Sequence, residues 1–480
     1  MGLAVSAITR VGAITARPAS IAVIAALLFA ANLFGGFPGA ANDDSDSQYA
    51  QAVDQRFSDW HPPIMAWLWS IFRLLADGNG PMFCFHVACY WLGFGLIAVA
   101  LGRAGRPVAG WGMIGVGLFP PFLMMNINIL KDVGLAVTFL AAFAALFWYR
   151  IADRRVPVAV VAISVVLLFY GTLVRGNAVF GVAPLLAYLI NPRWLGRPWR
   201  VLVFSAPVAM LIVPVSGAFN HNVLKATSLG IIRSLEIFDM TGIAFYSGDV
   251  SIFEPGHSFT RQDVESCYTP IRWDTLSPWG ECRFFWDRLA VSRDVREVEK
   301  LAPKDAMEAR PNPNLPNYWV ASIIAHPLAY ARHRLAHFSS EIYFLAQPDH
   351  NDGAALGAPM GEEAVAPDLL VRREPLYLML YDVLKTPAFW LAIAACLLVL
   401  LTAARPPRRS AGVEAALALV MSGLLYTCAY FVVGVATDLR YQFWSMVATF
   451  TALVISLSGL SGPLVLRPWL GRKTAAITAK

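Results

Sequence analysis

The sequence predicts an all-α polytopic membrane protein, with about ten transmembrane helices and a mostly α domain on the outer side of the bilayer. Three observations predict it. Of the 480 residues, 57% are hydrophobic and only 15% charged, with a mean hydropathy of +0.55. A water-soluble chain of this length does not need so much apolar material, whereas repeated membrane crossings do. Apolar windows of span length recur along the chain. Lys and Arg gather in alternate connections between those windows, as membrane topology demands.

Taken in order, the windows fall near 19–38, 81–101, 111–130, 133–149, 157–174, 178–190, 201–219, 387–403, 415–434 and 443–460. The window at 178–190 is short and reads as tilted or partly re-entrant. An even number of spans places both termini on one side. With that side in the cytoplasm, the inner segments hold seventeen basic residues, among them Arg103, Arg106, Arg150, Arg154, Arg155, Arg193, Arg197, Arg200, Arg405, Arg408 and Arg409, against Asp153 and Glu414 as the only acids. Every inner connection then satisfies the positive-inside rule. The localisation this implies is a bacterial inner (plasma) membrane. Pro-Gly-Ala-Ala at 38–41 would suit a signal-peptide cleavage site, but the apolar segment before it is long for that role. Cleavage would also put the acidic cluster behind it on a free end.

Three regions result. Residues 1–219 form a seven-span module whose first outer loop is 39–80. Residues 220–386 form one polar, Pro-containing outer domain, and residues 387–480 three more spans and a basic tail. Within the outer domain, 317–345 reads as a helix interrupted at Pro327 and lying at the membrane surface. Residues 347–374 read as a mobile loop. Cys84, Cys89, Cys396 and Cys428 fall in spans as packing residues. Cys267 and Cys282 share the outer domain, where an oxidising compartment permits a disulfide. Closing that loop of about 16 residues stabilises the fold by roughly 3 kcal/mol. The net charge of +6 raises nucleic acid as a partner, but the basic residues follow the spans rather than forming one patch, so the sequence predicts none.

The chemistry concentrates at the outer ends of the spans. The first outer loop carries five Asp within 17 residues, Asp43, Asp44, Asp46, Asp54 and Asp59, and ends in Asp59-Trp60-His61-Pro62-Pro63. Ionisable groups at a membrane boundary are costly unless hydrated or paired, and they mark chemistry more often than architecture. Later outer connections hold Lys131-Asp132, Arg175-Gly-Asn177 and Asp438-Leu-Arg440-Tyr441. Each has a bland alternative. The first Asp cluster, with Ser45-x-x-Gln48, would make a capping box, and Asp59 to Pro63 a rigid turn with Pro opening a helix. Lys131 and Asp132 would neutralise one another. Arg175 and Arg440 would snorkel to headgroups, with Tyr441 in an aromatic belt.

Carboxylates and cations on one membrane face suit sugar transfer from a lipid-linked phosphate. That reaction needs one base for the acceptor hydroxyl and cations for the departing phosphate. It needs no strong acid, because a phosphate leaves as an anion. No Gly-rich nucleotide loop is present, which fits a donor other than a nucleotide sugar. Asp44 and Asp46 are the candidate bases. Tyr49, Asp59, His61, Lys131, Asp132, Arg175, Arg440 and Tyr441 are the candidate substrate contacts. His326, His333, His337 and Glu341 share a helix face except where Pro327 breaks it; without a His-Glu-x-x-His run they read as hydrogen-bonding groups, and no metal or other cofactor is predicted.

These pieces, in order, resemble the GT-C superfamily of polytopic glycosyltransferases that use polyprenyl-phosphate sugars, in a poorly characterised bacterial branch. The matching stretches are Asp44-Ser45-x-x-Gln48-Tyr49-x-Gln51-Ala52, Ser58-Asp59-Trp60-His61-Pro62-Pro63, Leu130-Lys131-Asp132, Leu173-Val-Arg175-Gly-Asn177, His326-Pro327-x-x-Tyr330-x-x-His333-Arg334-Leu335 and Asp438-Leu-Arg440-Tyr441. The resemblance implies a catalytic Asp in the first outer loop, an inverting single displacement and basic residues from later loops on the phosphate. It implies a lipid-linked sugar donor and membrane lipid as partners; oligomeric state is left open. Better-known members place a second acid directly after the catalytic Asp. Here Ser45 and Ser47 follow Asp44 and Asp46, so the resemblance ranks Asp44 before Asp46 without separating them. Two other classes compete: an O-antigen ligase or polymerase, whose base would sit in a late outer loop, and a transporter or flippase, which would carry charge at the bilayer midplane and paired broken helices.

Overall fold

The structure, a computed structural model, describes residues 17–253, 259–291, 305, 311–343, 383–403 and 410–459. Among them every regular element is a helix, and backbone pairing outside helices is limited to isolated bridges. The expected loop at 347–374 and the basic residues Arg10, Arg405, Arg408, Arg409, Arg467, Arg472, Lys473 and Lys480 lie outside the described residues.

The first module comprises α1 (Pro18–Gly36), α2 (Asp43–Asp54), α3 (Pro63–Phe72), α4 (Gly80–Arg103), α5 (Pro107–Gly117), α6 (Pro120–Ile127), α7 (Lys131–Arg150), α8 (Val158–Leu173), α9 (Ala178–Ile190) and α10 (Pro198–Ala218), which runs on in a wider turn to Val223. The segment expected on the outer side, 220–386, holds α11 (Ile232–Ser247), α12 (Arg261–Cys267), α13 (Phe284–Leu289), α14 (Leu315–Ala325) and α15 (Pro327–Glu341). The chain closes with α16 (Pro387–Ala403), α17 (Ala411–Val433) and α18 (Phe443–Gly459).

Among the described residues, six helices are long and apolar enough to cross a membrane: α1, α4, α7, α10, α17 and α18 with its leading turn from Leu439. The protein is therefore multi-pass in architecture. The window at 111–130 is not one helix. Gly117 and the Pro120-Pro121 pair divide it into α5 and α6, bent by 50°, because proline lacks the amide that would continue the ladder. The bent pair still runs the length of its neighbours. Gly110 lies against Ile21 and Ala98, Gly117 against Trp91 and Phe94, and Ile127 against Gly36. The windows at 157–174, 178–190 and 387–403 are helices α8, α9 and α16, each under 18 residues, packed on α7, α17 and α17 respectively.

One core fills the bundle around α4, α7, α17 and α18, including Phe83, Phe94, Phe139, Phe143, Tyr426 and Trp444. A second fills the segment from α11 to α15 around Phe238, Trp273, Phe285 and Trp286. There Cys267 and Cys282 form the expected disulfide. The helix pair α14 and α15 breaks at Pro327 as expected, but its polar face turns inward. His333, Arg334, His337 and Glu341 are all fully buried, while Val320, Ile324, Leu328 and Leu335 are exposed. A water-facing helix shows the opposite polarity.

The buried side of α15 closes on α11. Asp239 takes hydrogen bonds from Trp319 Nε1 at 2.8 Å and His333 Nε2 at 3.0 Å, and an ion pair from Arg334 at 2.5 Å. The other His333 nitrogen meets Tyr268 Oη at 2.9 Å. Gly242 admits the His333 ring, which lies where any side chain would stand. Through this cluster the α11–α15 segment grips the connection between α17 and α18. Arg334 donates to Gly434 O, Trp273 N to Val435 O, Thr437 Oγ1 to Ile271 O, and Gln442 Nε2 to Glu341. His326 turns away to Asp249, so the four residues His326, His333, His337 and Glu341 do not converge on a point.

Candidate active site

Backbone pairing brings the first connection to the later ones. Ala40 and the stretch Ile127–Ile129 exchange hydrogen bonds of 3.0 and 2.8 Å. This fixes the start of α2 beside the start of α7. Asn42, not Ser45, caps α2: its side chain accepts from Ser45 N at 3.1 Å. Ser45 instead donates its hydroxyl to Ile129 O. The capping box expected from Ser45 and Gln48 is therefore absent, and Asp43, Asp44 and Asp46 all lie in the first turn, where the helix dipole favours negative charge.

Helical phase then selects one carboxylate. Asp44 faces the bundle. Its Oδ2 lies 3.3 Å from Lys131 Nζ and 3.1 Å from Arg440 Nη1, and its Oδ1 lies 3.7 Å from His61 Nε2. Lys131 Nζ also sits 2.9 Å from His61 Nδ1. As a cation, Lys131 has only donors, so Nδ1 accepts and the ring proton on Nε2 faces Asp44. Burial would raise the Asp44 pKa, but Lys131 and Arg440 outweigh it and hold the carboxyl well below the usual carboxylate range. Burial, with Lys131 beside it, pushes the His61 imidazole down to about 3, so it is neutral at neutral pH.

A second ion pair abuts the first. Arg175 Nη1 is 2.9 Å from Asp132 Oδ1, so Asp132 pairs across the bundle rather than with adjacent Lys131. Arg175 Nη2 and Nε donate to Tyr430 Oη at 2.9 and 3.2 Å, and its guanidinium lies 4.1 Å above the Tyr441 ring. Tyr441 stacks on Tyr430 at 5.8 Å. Arg440 closes the ring of charge through Asp438, at 2.7 Å. Burial pushes Asp438 up to about 6 in spite of Arg440. Neither arginine merely snorkels: the Arg175 and Arg440 side chains are 12% and 13% exposed.

Three carboxylates thus meet three cations, yet several pairs are close without being aligned. Arg440 Nε and Nη1 and both Asp132 oxygens make no hydrogen bond of proper angle. Asp44 keeps 26% exposure. The cluster therefore has donors in reserve for an anion that enters from the Asp44 side.

Three candidate residues are placed elsewhere. Asp46 is exposed on the far side of α2. Tyr49 packs on Trp69 and its hydroxyl accepts from Gly78 N at 2.8 Å, holding the loop rather than facing the cluster. Asp59 anchors the loop to the segment after α10, accepting from Leu229 N at 2.6 Å and Ser228 Oγ at 2.9 Å; this fixes Trp60 and His61, and Pro63 opens α3 as expected. Tyr430 was not singled out by sequence, because it resembles any aromatic at a span end. Among the described residues no group of three or more His, Cys, Asp or Glu is arranged to hold a metal ion. Comparison with protein-family models, curated proteins and solved structures found no match.

Proposed function

We propose that this protein is an integral-membrane glycosyltransferase that transfers a sugar from a polyprenyl-phosphate donor to an acceptor on the outer face, by inverting displacement. One observation carries the reading: Asp44 touches Lys131, His61 and Arg440, groups from three connections that lie far apart in sequence. Membrane helices do not gather costly ionisable groups without a use for them.

At rest the charges balance. A donor phosphate competes with Asp44 for Lys131 and Arg440, and so frees the carboxylate. Asp44 then takes the acceptor hydroxyl proton as that oxygen attacks the anomeric carbon. The carbon–oxygen bond to phosphate breaks, and its electrons leave on the phosphate, which Lys131, Arg440 and Arg175 stabilise. Protonated Asp44 leaves one cation in excess, which offsets the one negative charge that the phosphate gains as the diester becomes a monoester. Neutral His61 orients both Lys131 and Asp44. No step calls for a metal or other cofactor.

The reading places ten spans across a bacterial plasma membrane. The clustered basic residues around Arg103, Arg106, Arg150, Arg193 and Arg197 face the cytoplasm with both termini, and the Asp44 cluster faces outward. The outward apolar residues of α14 and α15 then rest on the membrane surface. The test is transfer in membranes of a deletion strain carrying wild-type or Asp44→Asn protein, with labelled polyprenyl-phosphate sugars as donors. Loss of a labelled glycan product in the variant, at equal protein level, supports the reading; full transfer by Asp44→Asn excludes Asp44 as the base.

A further inference from the structure

Beside the ionic cluster lies a group of four indoles that the mechanism above does not use. Trp60, which directly precedes His61, has its ring 5.9 Å from Trp273, 5.4 Å from Trp279 and 6.4 Å from Trp286. Trp273 and Trp286 are 5% and 0% exposed and serve the core of the outer domain, whereas Trp279 remains 48% exposed. A core alone does not require that fourth ring. The Trp279 side chain lies beside the Asp274 carboxylate, which is within electrostatic reach of Asp44. Asp59, bonded to Ser228 and Leu229, holds Trp60 and His61 in fixed relation.

We propose that Trp60, Trp279 and Asp274 form the acceptor subsite, and that the acceptor presents a carbohydrate ring there. Pyranose rings carry C–H groups on one face that pack on an indole, and hydroxyls at the edge that donate to a carboxylate. Trp279 supplies the half-open face, Trp60 supports it edge-on, with an interplanar angle of 86°, and Asp274 accepts from a hydroxyl. Because Trp60 and His61 are neighbours, a ring seated on this platform directs another of its hydroxyls toward Asp44. Burial raises the pKa of Asp274 while Arg272 opposes it, in contrast with Asp44.

This inference rests on the glycosyltransferase reading, and its test separates the two. Full-length protein in detergent is examined by saturation-transfer NMR with methyl glycosides of hexoses, pentoses and N-acetylhexosamines. Farnesyl phosphate, a short prenyl phosphate, is titrated by calorimetry. Wild type should bind at least one glycoside; Trp279→Ala should weaken it by about tenfold or more, Trp279→Phe by only about twofold, and Asp274→Asn by about fivefold, with farnesyl phosphate affinity unchanged in all three. The two conservative variants carry the test if Trp279→Ala does not fold. The inference is overturned if wild type binds no glycoside of the set, or if Trp279→Ala and Asp274→Asn bind as wild type does. Glycoside binding without any farnesyl phosphate binding would retain the platform and remove the prenyl-phosphate reading; the converse would remove only the platform.

Discussion

Asp239 on α11 and Asp44 at the end of the bundle each face an arginine and a histidine, but the two clusters are built differently. Asp239 is fully buried and its contacts run from 2.5 to 3.0 Å. Asp44 is 26% exposed and its contacts run from 3.1 to 3.7 Å. The first arrangement has no room to exchange partners and works as a clamp. It secures α15, and through Arg334 and Gly434 it secures the connection that carries Arg440. The second can trade one anion for another, as a phosphate site must. The same residue types thus do different work according to how closely they pack and how far they are shut off from water.

Matched substitutions should break the comparison most sharply. Asp44→Asn should lower transfer by about 10³-fold, the scale of a lost general base, while thermal unfolding of the purified protein stays at the wild-type temperature. Asp239→Asn should do the reverse. It leaves Arg334 buried without its counter-charge, at a cost of about 3–5 kcal/mol, so folded protein should fall and the residual folded fraction should retain its donor affinity. Size-exclusion yield and melting curves, read beside activity, check both. If Asp239→Asn were stable and inactive, the clamp would have to be counted as part of the site.

Arg440→Ala should come next, raising the donor KM by about 10–100-fold through loss of one charge-assisted contact. An unchanged donor response would reduce Arg440 to an anchor of the helix end.

A smaller effect follows from Asp438. Its raised pKa means that it takes up a proton as pH falls through about 6, leaving Arg440 with one carboxylate fewer. Asp438→Asn mimics that state at every pH. Farnesyl phosphate should therefore bind the variant several-fold more tightly than wild type above about pH 7, and the two affinities should converge below about pH 5. The ligand's own protonation acts on both proteins alike. Parallel pH profiles would show that Asp438 does not govern the phosphate site. Least of all, Asp46→Asn should change transfer by under about twofold, because Asp46 points to solvent.

The contrast also explains what the sequence revealed. In a chain that avoids charge, Asp44, His61, Lys131, Asp132, Arg175 and Arg440 stand out at the ends of apolar windows, and the structure unites all six. Asp44 and Asp46 were equivalent by composition. Two residues apart on a helix they point about 200° from each other, so only one can face the bundle, and nothing local says which. Tyr49 and Asp59 carried the right chemistry but serve the loop. In the polar segment 220–386 the background is different. Asp239 and Asp274 are lost among other acids, because burial there depends on partners far away in sequence. Hydropathy found the 111–130 window yet passed over its break, although Gly117 and Pro120-Pro121 mark it. The helix at 317–345 was legible as a broken helix, but which face turns inward depends on Asp239, some 80 residues earlier.

The central claim is that Asp44 holds cations that a prenyl phosphate must take over. Calorimetric titration of farnesyl phosphate into wild-type and Asp44→Asn protein tests it most directly. Removing the competing carboxylate should tighten binding by about tenfold, roughly 1.4 kcal/mol, in a variant that no longer transfers sugar. Equal or weaker binding by Asp44→Asn would contradict the claim.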